Sequence, residues 1–293
     1  MINKGLSRLG VFFLYLISLL PFWFLYLIAD FLFVMIYYVV GYRRKVVQEN
    51  LRNAFPEKSD TERHSIEKKY YKYLADLMVE TVKMVTASEK AISKRLTATN
   101  AYIVTDYLKN GKSVMLAVGH YGNWEMAALR VSLIIDKKLL IVYKPLTNNV
   151  FNDFFNNMRT RFGAEMVAMK NVLRTIVKAK NEVIMSVFVA DQTPVKHEAT
   201  YFTTFLNQPT AFFLGIEKIA KLTDPVVVFC DLKYIKRGYY VYTAIPLTEK
   251  PKETAEHEIT QAYVTCLENM IKRDPPYWLW SHRRWKFKPE DKL

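Results

Sequence analysis

The stretch VMLAVGHYGNWEMAALR, residues 114–130, reads as a strand that passes through a glycine-bracketed turn into an amphipathic helix. The run Val114-Met115-Leu116-Ala117-Val118 shows no polar alternation, the pattern of a strand covered on both faces. Gly119 and Gly122 bracket His120 and Tyr121, and Asn123 is a suitable cap for the helix after it. The same unit recurs outward along the chain. Strands are expected over 113–118, 139–143, 183–189, 226–234 and 239–245. Helices are expected up to 111 and over 123–130, 151–162, 172–180, 211–222 and 254–272. A long amphipathic helix from Asp60 or Thr61 to about Thr86 precedes them. Strands alternating with helices predict an α/β fold with a largely parallel central sheet flanked by helices. No Pro/Gly/Ser-rich linker, repeat or low-complexity tract interrupts residues 43–293, which read as one α/β domain.

Residues 1–42 are of another kind. From Leu9 to Tyr42 the sequence is almost wholly apolar, with Asp30 as its only formal charge. About 20 apolar residues suffice to cross a bilayer, so this segment is expected to be a membrane anchor. Lys4 and Arg8 also suit a signal peptide, but the run is too long and no small-residue cleavage site follows it. Pro21 can kink one tilted helix or divide the segment into a hairpin within one leaflet, and the sequence does not choose between them. Arg43, Arg44 and Lys45 directly after the run place the remaining chain on the cytoplasmic side by the positive-inside rule.

The 293 residues carry a formal net charge of +14, nearly all of it outside the apolar segment, so an anionic partner is expected. The segment KKYYKYL, Lys68 to Leu74, has the Lys/Tyr mixture of a membrane-interfacial surface; a helix face with snorkelling lysines is its simpler explanation. A hydrophobic content of 51% excludes a disordered chain. Cys230 and Cys266, the two cysteines, cannot build a disulfide framework, and no Cys/His cluster points to zinc.

The dinucleotide and Walker glycine loops, the GxSxG elbow and the HExxH metal motif are all absent. What stands at a strand-to-helix corner is His120 with Glu125 five positions on. Imidazole can take a hydroxyl proton while a carboxylate orients the ring and stabilises the imidazolium. On a continuous helix these side chains would point about 140° apart, so they can meet only if His120 sits in the preceding turn. A capping or core hydrogen-bonding role for His120 is the competing explanation.

Seven blocks in order make the chain resemble the bacterial lipid A biosynthesis acyltransferases, the late or secondary acyltransferases of the wider glycerolipid acyltransferase superfamily. They are the apolar N-terminus; GHYGNWE at 119–125; VYKP at 142–145 with Asn148; Arg159-Thr160-Arg161 with Gly163; ADQTP at 190–194; FLNQPTAFFLG at 205–215; and WLWSHRRWK at 278–286. The family's VYRP block has Lys144 here in place of arginine, which removes a bidentate donor.

The resemblance implies a glycerolipid acyltransferase-like fold at the bacterial inner membrane, with the active site on the cytoplasmic side. It implies transfer of a fatty acyl group from an acyl carrier protein thioester to a hydroxyl of a lipid A precursor, without metal or organic cofactor. Carried over by motif, His120 is the general base and Glu125 its partner. Arg159 and Asp191 are further functional positions, and Arg161 joins Arg159, Arg283 and Arg284 as a candidate for the acceptor's phosphates. Trp278, Trp280 and Trp285 around His282 read as an interfacial aromatic anchor in contact with phospholipid. Another lysolipid or an aminolipid is the alternative acceptor. A non-enzymatic, membrane-tethered binder of nucleic acid fits the charge alone and leaves the motifs unexplained, so no nucleic-acid partner is expected.

Overall fold

The computed structural model describes residues 4–290. The chain opens with helices α1 (Lys4–Leu19) and α2 (Phe22–Val34), separated at Pro21, and α2 runs on into a π-helical turn, Met35–Val39. Then come α3 (Arg44–Ala54), α4 (Asp60–Lys83), α5 (Glu89–Arg95), β1 (Leu96–Ala98) and α6 (Tyr102–Lys109). The repeating part follows: β2 (Val114–Val118), α7 (Trp124–Ser132), β3 (Lys138–Tyr143), α8 (Asn149–Arg159), β4 (Glu165–Ala168), α9 (Val172–Lys178) and β5 (Ile184–Val189). A hairpin β6 (Tyr201–Phe205) and β7 (Gln208–Phe212) leads to α10 (Gly215–Thr223), β8 (Val226–Lys236), β9 (Tyr239–Thr248) and α11 (Glu258–Arg273).

Seven strands form one sheet in the order β1-β9-β8-β2-β5-β3-β4. Every neighbouring pair is parallel except β8 with β9. The α/β architecture expected from the alternation is therefore present. β2 lies between β5 and β8 and is buried along its whole length, which explains its unbroken apolar run. One continuous core joins the sheet to α4, α7 and α11.

The helix expected over 211–222 needs correcting. Residues 208–212 are β7, paired antiparallel with β6, and the helix starts only at Gly215. Leu206 and Asn207 both take positive φ, the geometry of a two-residue hairpin turn, and the flanking FTTF and QPTAF carry the aromatic and β-branched residues of strands. Short strands β1 and β4 at the two sheet edges had no sequence signal of their own.

The segment KKYYKYL lies within α4, and its role is also different from an interfacial one. Tyr70, Tyr71 and Tyr73 are buried in the core, while the lysines stay outside. Ser59 and Glu62 form a reciprocal capping box at the start of α4.

The apolar N-terminus does not stand apart from the α/β body. Leu25 and Ala29 of α2 pack against Ala75 and Val79 of α4 as a small separate core. Phe22–Val39 is nevertheless long and apolar enough to cross a membrane, and most of its surface is open.

Candidate active site

The site forms where β2 and β5 end side by side. Their parallel register pairs Val118 with Val189, and Ala190 N–H donates to Val118 O one step further on. His120 and Asp191 thus leave the sheet at the same level. His120 Nδ1 lies 2.6 Å from Asp191 Oδ1, and the His120 backbone N–H donates to Asp191 Oδ2 at 2.7 Å. Trp278 Nε1–H donates to the same Oδ2 at 2.8 Å. Burial pushes the Asp191 carboxyl up, but His120, through charge and hydrogen bonding, and the Trp278 indole outweigh it and hold it below the usual carboxylate range.

That network fixes the imidazole. With Nδ1–H donating to Asp191, Nε2 carries the lone pair, and the Gln192 amide nitrogen lies 3.3 Å from it as a donor. The ring also meets Trp124 edge-on, with centroids 5.0 Å apart. His120 is partly open, with its side chain 18% exposed, against 2% for Asp191.

Glu125 takes another partner than the sequence suggests. Its carboxylate forms a two-point ion pair with Arg159 at the end of α8, with Nε donating to Oε2 at 2.8 Å and Nη2 to Oε1. This pair raises the guanidinium's pKa even though burial works against it. Among the described residues, the carboxylate hydrogen-bonded to His120 is Asp191's. The His-x4-Glu spacing therefore builds two adjacent pairs, the His120–Asp191 hydrogen bond and the Arg159–Glu125 ion pair, on either side of the turn into α7.

Arg161 is turned away from both. It donates to the carbonyls of Met84 and Ala87, closing the chain that leaves α4. Arg284, a candidate phosphate ligand, is 1% exposed beneath the site; it donates to Ala211 O and lies over the Phe212 ring.

Trp278 and Trp280 are not an interfacial anchor: they are 1% and 0% exposed, while Trp285 is half-buried. Their segment instead forms a wall of the site. Leu279 N–H donates to His120 O, Gly122 N–H donates to Tyr277 O, and Tyr121 bridges to Trp278. His282 Nε2 accepts from Thr193 N–H at 3.1 Å, which pins the turn carrying Asp191. Burial pushes the His282 pKa down to about 4, so this acceptor stays neutral.

The helix cap Asn123 was legible as an Asx residue before a helix, but its outer partner was not. Its Oδ1 accepts from Met126 N–H, and its Nδ2 donates to the buried carboxylate of Glu80 on α4 at 2.8 Å. Glu80 also accepts from Tyr240 and from Tyr26 of α2. Burial lifts its pKa to about 7. Gly119 is needed for space: a Cβ there would come within 2.6 Å of Leu267 Cδ1 and 3.5 Å of Asp191 Oδ2. Gly122 has φ +56°, which favours glycine. Among the described residues, no three His, Cys, Asp or Glu side chains converge as a metal-ligating set.

Comparison with known proteins agrees with these motifs. The family model described as bacterial lipid A biosynthesis acyltransferase matches residues 1–287. A lipid A biosynthesis acyltransferase of Haemophilus influenzae is 24% identical over 264 residues, 88% of this chain and 82% of its own. The lipid A biosynthesis lauroyltransferase of Escherichia coli is 23% identical over 294 residues, covering 97% and 92%. The palmitoleoyltransferase of the same organism is 22% identical over 251 residues, covering 84% and 80%.

Proposed function

The chain belongs to the bacterial lipid A biosynthesis acyltransferase family, an enzyme family, and on that premise we propose how this member works. It transfers a fatty acyl group from an acyl carrier protein thioester to a hydroxyl of a lipid A precursor, at the cytoplasmic face of the inner membrane. The observation that carries the mechanism is the 2.6 Å contact between His120 Nδ1 and Asp191 Oδ1, which leaves Nε2 as a base at the mouth of the site.

Nε2 removes the acceptor's hydroxyl proton as the oxygen attacks the thioester carbonyl. The tetrahedral oxyanion collapses, the carbon–sulfur bond breaks, and the leaving thiolate takes the proton back from the imidazolium. Asp191 holds the ring in the required tautomer and stabilises its cationic form during the step. Arg159, held rigid by Glu125, supplies a fixed positive charge on the other side of the turn. Neither step needs an acyl-enzyme. A chain with net charge +14 attracts an acidic carrier protein and a phosphorylated acceptor alike.

The test is mass spectrometry of products from wild type and His120→Ala, given acyl carrier protein thioesters and a tetra-acylated lipid A precursor with and without its inner sugar acid. One added acyl mass with wild type and none with the folded variant is the expected result. Thioester consumed with the precursor unchanged would assign another acceptor, and near-normal transfer by His120→Ala would remove His120 as the base.

A further inference from the structure

The apolar N-terminal segment is tied to the α/β body along its whole length. Near its start, Ser7 Oγ accepts from Asn148 Nδ2, the cap residue of α8, at 2.9 Å. At the break before Pro21, Lys83 Nζ and Thr86 Oγ1 at the end of α4 both donate to Ser18 O, the former at 2.8 Å. In the middle of Phe22–Val39, Tyr26 donates to Glu80 at 3.0 Å. One turn on, Arg237 from the β8–β9 hairpin joins Asp30 at 2.7 Å to Asp76 of α4. Gly238 in that hairpin faces the Tyr26 hydroxyl with no room for a side chain. Just past the far end, Arg44 Nε donates to Glu67 at 2.9 Å.

A helix of 18 residues is about 27 Å long, close to the roughly 30 Å of hydrocarbon in a bilayer. If Phe22–Val39 crossed it, Asp30 would sit near the midplane. Arg237 and Asp76 of the body would be drawn in with it, at a high desolvation cost. Ser7 and Arg44, on either side of the apolar run, could not both keep Asn148 and Glu67, which belong to one body. The outward surface of α1 and α2, in contrast, is a continuous apolar face: Phe12, Phe13, Leu19, Trp23, Leu27 and Phe31 are each at least half exposed. Trp23 at the break and Lys4 and Arg8 at one end suit headgroup depth.

We infer that this segment seats in a single leaflet with both of its ends on the side of the α/β body, so that the protein is attached to the bilayer and does not cross it. The occupant of the apolar face is the acyl layer of that leaflet, met by α1 and α2 lying against the membrane. The inference rests on the membrane association proposed above. It deepens it, because α8 runs from Asn148 at this face to Arg159 at the site, a helix of 11 residues or about 16 Å. The catalytic pairs therefore stand within reach of lipid held in the same leaflet.

The experiment uses the full chain fused at either end to alkaline phosphatase, active only where its disulfides form, or to green fluorescent protein. Both phosphatase fusions inactive and both fluorescent fusions bright, all in the membrane pellet, is the expected result. An active N-terminal phosphatase fusion beside an inactive C-terminal one would overturn it. As a second measurement, a nitroxide at Leu27→Cys, with Cys230 and Cys266 replaced by alanine, is read in phosphatidylethanolamine/phosphatidylglycerol vesicles. The label should collide with lipid-dissolved oxygen at less than the depth of one leaflet, about 15 Å. A label shielded from oxygen and broadened by a second label would assign the face to another copy of the chain, and one open to aqueous nickel would leave it uncovered; either overturns the inference. Neither readout depends on turnover. An inactive enzyme with these results would keep the seating and lose the proposed reaction.

Discussion

His120 Nδ1 and Asp191 Oδ1 stand 2.6 Å apart although 71 residues separate them, because β2 and β5 are parallel neighbours that end level. Asp191→Asn keeps the shape and removes the charge that fixes the imidazole tautomer. Its kcat should fall about 100- to 10,000-fold, the range for disabling a general base or its orienting acid. Added to His120→Ala, it should cost almost nothing more, since the two act as one unit. Steady-state kinetics of the two single variants and the double variant check this; additive losses would separate their roles.

Arg159 and Glu125 should behave as a second, independent unit. Arg159→Gln leaves a largely buried carboxylate without its counter-charge and should lower unfolding free energy by about 3 kcal/mol. Glu125→Gln in the same chain should return most of that stability, yet not the activity, because the guanidinium is still missing. Urea unfolding beside kinetics on the three variants provides the test.

Trp278→Phe keeps the ring in place and removes one donor to an ionised, buried carboxylate. Hydrogen bonds to charged groups contribute about 1.5–3 kcal/mol, so kcat should drop about 10- to 100-fold with KM little changed. An equal effect on KM and none on kcat would show that the indole supports substrate binding instead.

Two buried groups give stability slopes of opposite sign over nearly the same pH range. Glu80 has its pKa raised from 4.5 to about 7 by burial, so its stabilising contribution is complete below 4.5 and lost as pH rises towards 7. His282 has its pKa lowered from 6.5 to about 4, so its contribution is complete above 6.5 and lost as pH falls towards 4. Protonation of His282 would also set a donor against the Thr193 N–H it now accepts. Relative to wild type, Glu80→Gln should therefore gain in melting temperature as pH rises from 4.5 to 7. His282→Gln should gain as it falls from 6.5 to 4. Parallel difference curves would contradict the assignment.

The strand-to-helix corner at 114–130 was readable because a buried parallel strand, a glycine turn and an Asx cap each leave a local pattern. Local patterns do not carry sheet order. Nothing in residues 119–125 or 190–194 tells that β5 lies beside β2, so the spacing pointed to Glu125 as the partner where the fold supplies Asp191 as the hydrogen-bonded carboxylate. Trp278 and Trp280 misled for a related reason. Tryptophan next to arginine has the same composition at a membrane surface and in a packed wall, and only the tertiary fold buries these two. The turn at Leu206-Asn207 lacks glycine, which hid the hairpin β6–β7.

Ala75 and Val79 are covered by Leu25 and Ala29, and the acids between and beside them, Asp76 and Glu80, take partners from the same helix or through Arg237. A chain shortened to begin after residue 42 would thus not be a water-soluble edition of this enzyme. It would carry an open apolar seam down α4, with Glu80 short of a donor while still gripping Asn123, the cap of α7. The leading helices are a wall of the building, and shortening the chain there would loosen the corner that carries His120.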